Sequence, residues 1–292
     1  RRVLFRSPPS TEEVVAGDIG EQLFLKLADV GMSTNTVGDE DFQPLLAQSW
    51  EWDGPMTLVF HLDPRARWQD GQRVSAADVE FTFDAYKDSA VASPFRAKLR
   101  RIASVTQRDS LTAVFRFRER YPEMFYDAVY HMRILPAHLL RSVPRDQWKT
   151  APFGRQPVGS GAYRFVRWES AQSIELEADS TFFLGRPGIR RLIWRFTPNL
   201  QVGVTQAIAD QADVREQLVT PENVERARAA PQLTLYPFRG NVYTYLGFNL
   251  RASGDTSQPH PIFSDREVRR ALTMAVDRAS LDARTVKSWL RL

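Results

Sequence analysis

The chain contains no cysteine among its 292 residues. This excludes disulfides, thiolate nucleophiles, thiolate metal sites and a lipid-modified cysteine within this stretch. No apolar run approaches the roughly 18 residues that a membrane-spanning helix requires. A signal peptide is not legible either: Arg1-Arg2-Val3-Leu4-Phe5-Arg6-Ser7 is basic, but Pro8-Pro9 follows where an apolar segment would be needed, so the opening reads as non-native or truncated sequence. Phosphate-binding G-x-x-x-x-G-K-[ST] and G-x-G-x-x-G motifs are missing. Gly159-Ser160-Gly161 lacks the flanking residues of a G-x-S-x-G elbow and reads as a tight turn entering a strand at Tyr163. The four histidines, His61, His131, His138 and His260, show no H-E-x-x-H spacing and no acidic partner at a ligand interval. Asp39, Glu40 and Asp41 lie in a polar, solvated loop, poor ground for acid–base chemistry. No catalytic residue, metal ligand or cofactor is expected.

What is present is ordinary for a water-soluble globular protein: 43% hydrophobic and 25% charged residues. A chain of this length can hold two cores, since single cores stop growing at about 250 to 300 residues. Its net charge is +4, with basic and acidic residues interleaved along almost the whole length. The densest basic run, Arg96-Ala97-Lys98-Leu99-Arg100-Arg101, has no neighbouring ladder of aromatics for stacking bases. It reads as a solvated helix face, and no nucleic-acid partner is expected.

Apolar spacing predicts a helix over Ile19 to Ala28, and Pro44 to Ser49 a turn or edge segment. Trp50 to Pro55 carries a turn signal, with packing the preferred role for Trp50 and Trp52, and Leu58, Phe60 and Leu62 alternate as in a strand. Ser75 and Asp78 form a capping box ahead of a helix from Ala76 to about Lys87. Ile102 to Phe117 reads as a hairpin, and Pro136 sits near the start of a short helix. Strands are expected at Tyr163 to Trp168, Ser173 to Ala178, Leu192 to Phe196, Leu233 to Tyr236 and Tyr243 to Leu250, with helices around Val202 to Ala209 and Pro221 to Ala229. Ser264 and Glu267 read as a second capping box before an amphipathic helix whose core stripe is Val268, Ala271, Leu272, Ala275 and Val276. Strands and helices without strict alternation point to α/β lobes with an inserted α+β subdomain.

Three ordered blocks carry a resemblance. Pro44 to Trp52 is similar to "P-x-L-A-E-S-W-E", and Trp68-Gln69-Asp70-Gly71-Gln72-Arg73-Val74-Ser75-Ala76-Ala77-Asp78-Val79-Glu80-Phe81 to "W-x-D-G-x-P-x-T-A-x-D-V-x-F". Pro157 to Phe165 resembles "P-V-G-T-G-P-Y-x-F". Tyr245 to Asn249, Phe263 to Leu272 and Ala275 to Arg278 resemble "Y-x-x-F-N" and "F-x-D-x-R-V-R-x-A-L-x-x-A-I-D-R". Together these resemble the family 5 extracytoplasmic solute-binding proteins, which include oligopeptide, dipeptide and nickel receptors.

The resemblance implies a type II periplasmic-binding-protein fold of α/β class. Residues 1–43 and 157–240 would form the main part of a first lobe, 44–156 an inserted α+β subdomain, and 241–292 a crossover strand and the start of a truncated second lobe. It implies a monomeric receptor, in the periplasm or on the outer face of the cytoplasmic membrane, that closes on a peptide or similar small solute and delivers it to ABC permease subunits. An extended peptide would be held largely through its backbone. The family's contact turn "L-F-E-G-L" corresponds to Leu23-Phe24-Leu25-Lys26-Leu27, where Leu25 and Lys26 replace the acid and the glycine. Asn241, Tyr243, Tyr245 and Asn249 on the crossover strand complete the expected lining. The alternatives are an intracellular solute-sensing regulator, which needs a DNA-binding helix-turn-helix, and a hydrolase acting on peptides or glycans, for which the sequence motifs identify no catalytic residue.

Overall fold

The structure is a computed structural model that describes residues 14–197, 199–216, 218, 220–236 and 245–277. It divides after Phe196 into two compact units.

In the first unit, helix α1 (Val14–Leu23) leads through an extended segment into the short pair β1 (Ala28–Asp29) and β2 (Gln43–Pro44). Pro44 sits at an edge, where its missing N–H costs no ladder bond. Strands β3 (Ala47–Trp52), β4 (Thr57–Leu62), β5 (Ile102–Asp109) and β6 (Thr112–Phe117) form an antiparallel sheet ordered β3-β4-β6-β5. Trp50 and Trp52 thus belong to a strand, and the turn is confined to the residues after them, where Gly54 takes a positive φ of 83°. Helix α2 (Ala76–Lys87) packs on β5 and β6 and buries Val79, Phe83 and Tyr86. Helices α3 (Met124–Val129) and α4 (Ala137–Leu140) close the same core, in which Phe60, Phe115, Phe125 and Trp68 are almost fully enclosed. A second antiparallel sheet, β7 (Tyr163–Glu169), β8 (Ser173–Ala178) and β9 (Arg191–Arg195), completes the unit.

Two expectations change here. Helix α1 already includes Val14, ahead of the expected Ile19, and it ends earlier than apolar spacing indicates because the Leu23 carbonyl, which a continuing helix would offer to Leu27, accepts instead from the N–H groups of Ser160 and Gly161, both at 2.9 Å. The basic run Arg96 to Arg101 is not a helix face but a chain of turns, bonded i to i−3 from Arg96 N–H to the Ser93 carbonyl through Ile102 N–H to the Leu99 carbonyl. Leu99 is fully buried there and pins the turns to the core.

The second unit contains α5 (Leu200–Ile208), α6 (Pro221–Arg228) and α7 (Arg266–Ala275). Asn199 caps α5 and Thr220 caps α6, whose first residue is Pro221. The cap of α7 is Asp265, which accepts from Glu267 N–H at 2.7 Å and Val268 N–H at 3.4 Å, so the expected Ser264–Glu267 box is displaced by one residue. The core stripe expected on α7 is also corrected: no residue of the helix is buried, and Leu272 and Met274 are exposed, because no other described element covers that side. Leu233 to Tyr236 and the described part of the last expected strand, Tyr245 to Leu250, are irregular, having no ladder partner among the described residues.

Tyr86 makes the core pH-sensitive. Its hydroxyl is buried and accepts from Arg133 N–H at 3.3 Å, and burial pushes its pKa from 10.0 to about 12. Above pH 10 the unfolded chain ionises this group while the folded chain cannot, so its stabilising effect is complete below that pH and is lost as pH rises toward 12. The expected loss is about 3 kcal/mol. Urea midpoints measured across that window should fall, and Tyr86→Phe should flatten the fall.

Candidate functional site

The Leu25–Lys26 turn is held by three other parts of the first unit. Leu25 N–H donates to Ser160 Oγ at 3.3 Å, and its carbonyl accepts from Ile134 N–H at 2.9 Å. The Lys26 carbonyl accepts from Leu46 N–H at 3.2 Å, and the Leu27 carbonyl from Leu45 and Ala47. The polar backbone of Leu25 is therefore already engaged by the protein. Ser160 holds its position through the side chain of Gln69, whose Oε1 accepts from Gly159 N–H at 3.0 Å while its Nε2 donates to the carbonyls of Tyr163 at 2.7 Å and Gly161 at 3.3 Å. The Trp68–Phe81 and Pro157–Phe165 stretches of the resemblance are thus joined directly.

Lys26 points into a charged cluster rather than into solvent. Its Nζ lies 3.1 Å from Glu21 Oε1, 3.6 Å from Asp29 Oδ1 and 4.5 Å from the centre of the Tyr130 ring. Arg133 donates to the same Glu21 oxygen at 3.1 Å and to the Gly17 carbonyl at 3.2 Å. The Tyr130 ring stacks on Tyr126 at 4.6 Å and 17°. Burial, with Tyr130 beside it, pushes the Tyr126 hydroxyl above its ordinary value. Only 8% of the Lys26 side chain is accessible, against 47% for Glu21 and 52% for Asp29, so the rim open to a solute is carboxylate and tyrosine with the ammonium beneath. Charge in the cluster balances, two cations against two carboxylates. Lys26→Met should cost about 1–2 kcal/mol, because it leaves the two carboxylates with only Arg133 to offset them. Thermal midpoints of the variant and the parent check this.

Of the other expected lining residues, Tyr245 and Asn249 lie in the second unit and are exposed, and Asn249 Oδ1 accepts from Arg251 N–H at 3.1 Å. Asn241 and Tyr243 lie outside the described residues. Glu21, Asp29, Tyr130 and Arg133 escaped the sequence reading. A Glu five residues before a Lys is a weak signal, and only the tertiary fold brings Tyr130 and Arg133 to it.

Asp39 Oδ2 accepts from both Trp50 Nε1 at 3.1 Å and Trp52 Nε1 at 3.2 Å. Trp50 then packs on Phe125, whereas Trp52 remains partly open on a cavity of about 720 Å³ shared with Val37, Arg120 and Tyr121. Each of three histidines meets a carboxylate, the shortest contact being His138 Nε2 to Asp70 Oδ2 at 2.7 Å, but no group of three candidate ligands converges among the described residues.

Comparison with known proteins fits this geometry. Residues 41–286 match the family model "Bacterial extracellular solute-binding proteins, family 5 Middle". A putative ABC transporter peptide-binding protein of Brucella ovis is 30% identical over 249 residues, covering 85% of this chain and 44% of that protein. The oligopeptide-binding protein AppA of Bacillus subtilis is 26% identical over 280 residues, covering 95% of this chain and 48% of its own. The chain therefore spans about half the length of the curated relatives it matches. The solved structure of AppA with a nonapeptide superposes with a TM-score of 0.80 at 24% identity, covering 95% of this chain and 52% of that one. NikZ of Campylobacter jejuni with Ni(L-His) gives 0.79 at 24%, covering 94% and 52%. These neighbours share the type II periplasmic-binding-protein fold, and the chain belongs to the family 5 bacterial extracellular solute-binding proteins.

Proposed function

We propose that the protein is an extracytoplasmic receptor that captures peptides or similar small solutes and hands them to the permease of an ABC importer. The observation that carries this is membership of a solute-binding family over most of the chain, together with a fold shared with receptors solved around a nonapeptide and a nickel–histidine complex. The reading includes a monomer without catalytic activity, held in the periplasm or at the outer face of the cytoplasmic membrane. Residues 1–43 and 157–240 serve as the main part of one lobe, 44–156 as its inserted subdomain, and 241–292 as the crossover into the second lobe. Leu25, Lys26, Asn241, Tyr243, Tyr245 and Asn249 are the residues we assign to solute contact, and the receptor encloses its solute by hinge closure.

Saturated backbone at Leu25 gives this reading a specific form. A peptide cannot add a strand at that residue, so on this side it is met by the carboxylate and tyrosine rim around Lys26. Calorimetric titration of a protein carrying both lobes, with short peptides up to a nonapeptide, free amino acids and nickel–histidine, tests it. Micromolar or tighter binding of one class is expected, and Lys26→Gly, which restores the family residue, should change the order of preference among them. Failure of every class to bind would refute the receptor assignment.

A further inference from the structure

The charge of this chain is concentrated in one stretch. Residues 96–120 hold eight basic side chains and two acids, a net +6 that exceeds the +4 of the whole chain. The rest of the molecule is therefore slightly acidic. One of those acids is already committed, because Glu119 pairs with Arg101 at 2.8 Å. Arg96, Lys98, Arg100, Arg118 and Arg120 are all exposed, and none of them forms an ion pair among the described residues.

The fold draws these cations together. The Arg118 N–H donates to the Arg101 carbonyl at 2.9 Å, laying the segment after β6 beside the turns of the basic run. Lys87 reaches the Ile102 carbonyl at 3.3 Å from α2. Burial, with Arg118 and Arg96 close by, holds its ammonium below the ordinary value. Phe117 N–H donates to the Met56 carbonyl at 2.9 Å, and the Phe117 ring lies 6.2 Å from that of Trp52, so the β3–β4 turn reaches the same end of the sheet. There Trp52 and Met56 are 38% and 40% exposed.

Unpaired cations around an exposed indole and thioether are the side-chain chemistry of a membrane–water interface, where Trp sits at headgroup depth and Lys and Arg meet phosphate. A nucleic acid would need stacked rings among the cations. A small anion would need them to converge on one point, whereas here they spread over three chain segments. We propose that this end of the β3-β4-β6-β5 sheet is a docking surface for an anionic phospholipid bilayer, which keeps the receptor close to the membrane. The proposal rests on the extracytoplasmic reading above, but it is tested without solute and can fail independently of it.

Each basic side chain near an anionic surface contributes about 1 kcal/mol, roughly a fivefold change in partition. The full chain is sedimented with vesicles of phosphatidylglycerol mixed with phosphatidylcholine, and with vesicles of phosphatidylcholine alone. Binding is expected only to the anionic vesicles and only at low salt, since screening at high salt shortens the reach of these charges to about 3 Å. The triple variant R96E/K98E/R100E should lower the partition about a hundredfold or more, since three contributions of about fivefold multiply. The variant R186E/R190E/R195E makes the same change in net charge on β9 and the connection leading into it, and should lower it less than about threefold, as a general charge effect. Absence of anionic binding, equal binding to the uncharged vesicles, or equal losses in the two triple variants would each overturn the proposal. So would retention on heparin without any vesicle binding, which would assign the patch to a soluble polyanion. Circular dichroism on both variants confirms that the comparison is between folded proteins.

Discussion

Gly159→Ala should destabilise the first unit by about 3 kcal/mol or more, at the upper end of what overpacking costs. A Cβ at this position would stand 1.9 Å from the Leu23 carbonyl oxygen and 2.8 Å from its carbon. That oxygen cannot retreat cheaply. It accepts from Ser160 and Gly161, ends α1, and fixes where Leu25 begins. Gly161 is held in the same way, with its Cβ position 2.2 Å from the Gln22 carbonyl. Gly188→Ala is the control, since nothing lies within 4 Å of its added carbon. Urea unfolding should separate the two. A Gly159→Ala midpoint equal to that of Gly188→Ala would show that the turn does not hold the helix as described. Because Ser160 anchors Leu25, the same variant should also disturb solute binding in a protein carrying both lobes.

The second large effect is expected at Asp78. Its carboxylate is 4% exposed and gathers four donors: Ala137 N–H at 2.8 Å on Oδ1, and Ser75 N–H at 2.9 Å, Ser75 Oγ at 3.0 Å and Trp68 Nε1 at 3.4 Å on Oδ2. A capping acid on an exposed helix contributes about 1 kcal/mol. Here Asp78→Ala also leaves the Ala137 amide and the Trp68 indole unpaired in the core, each at about 1–3 kcal/mol, so a total near 4 kcal/mol is expected. Asp78→Asn keeps the Oδ1 acceptor for Ala137 but turns a donor toward Ser75, and should fall between the alanine variant and the parent. Loss of no more than a surface cap's worth on Asp78→Ala would mean that the Trp68–Asp78–Ala137 link carries little.

These two sites show how far the sequence could be read. The Ser75–Asp78 spacing marked the start of α2, and the turns around Asp53-Gly54 and Gly159-Ser160-Gly161 were legible because their chemistry is local. What could not be read is what those residues do at a distance. Nothing in the spacing indicates that Asp78 also caps the entry to α4, or that the Gly159 turn stops α1 by taking the Leu23 carbonyl. The α7 stripe was read correctly as amphipathic, but periodicity reports a preference for burial and not whether a neighbour supplies it. At the candidate site, Leu25 and Lys26 were found by comparison with a family turn. Their role as an internally satisfied strut depends on Glu21, Tyr130, Arg133 and Ser160, which the fold alone brings to them.

The Gln69 side chain bears on how this architecture can be altered. One amide answers an N–H and two carbonyls contributed by residues some ninety positions further along the chain. The stretch 44–156 is consequently not a detachable cassette. Excising it, or grafting in the equivalent stretch of a relative without a matching amide, would orphan Gly159 N–H and the carbonyls of Gly161 and Tyr163 just where α1 is terminated. Engineering of chimaeric receptors should therefore transplant the Trp68–Gly71 turn and the Gly159–Tyr163 turn as a pair.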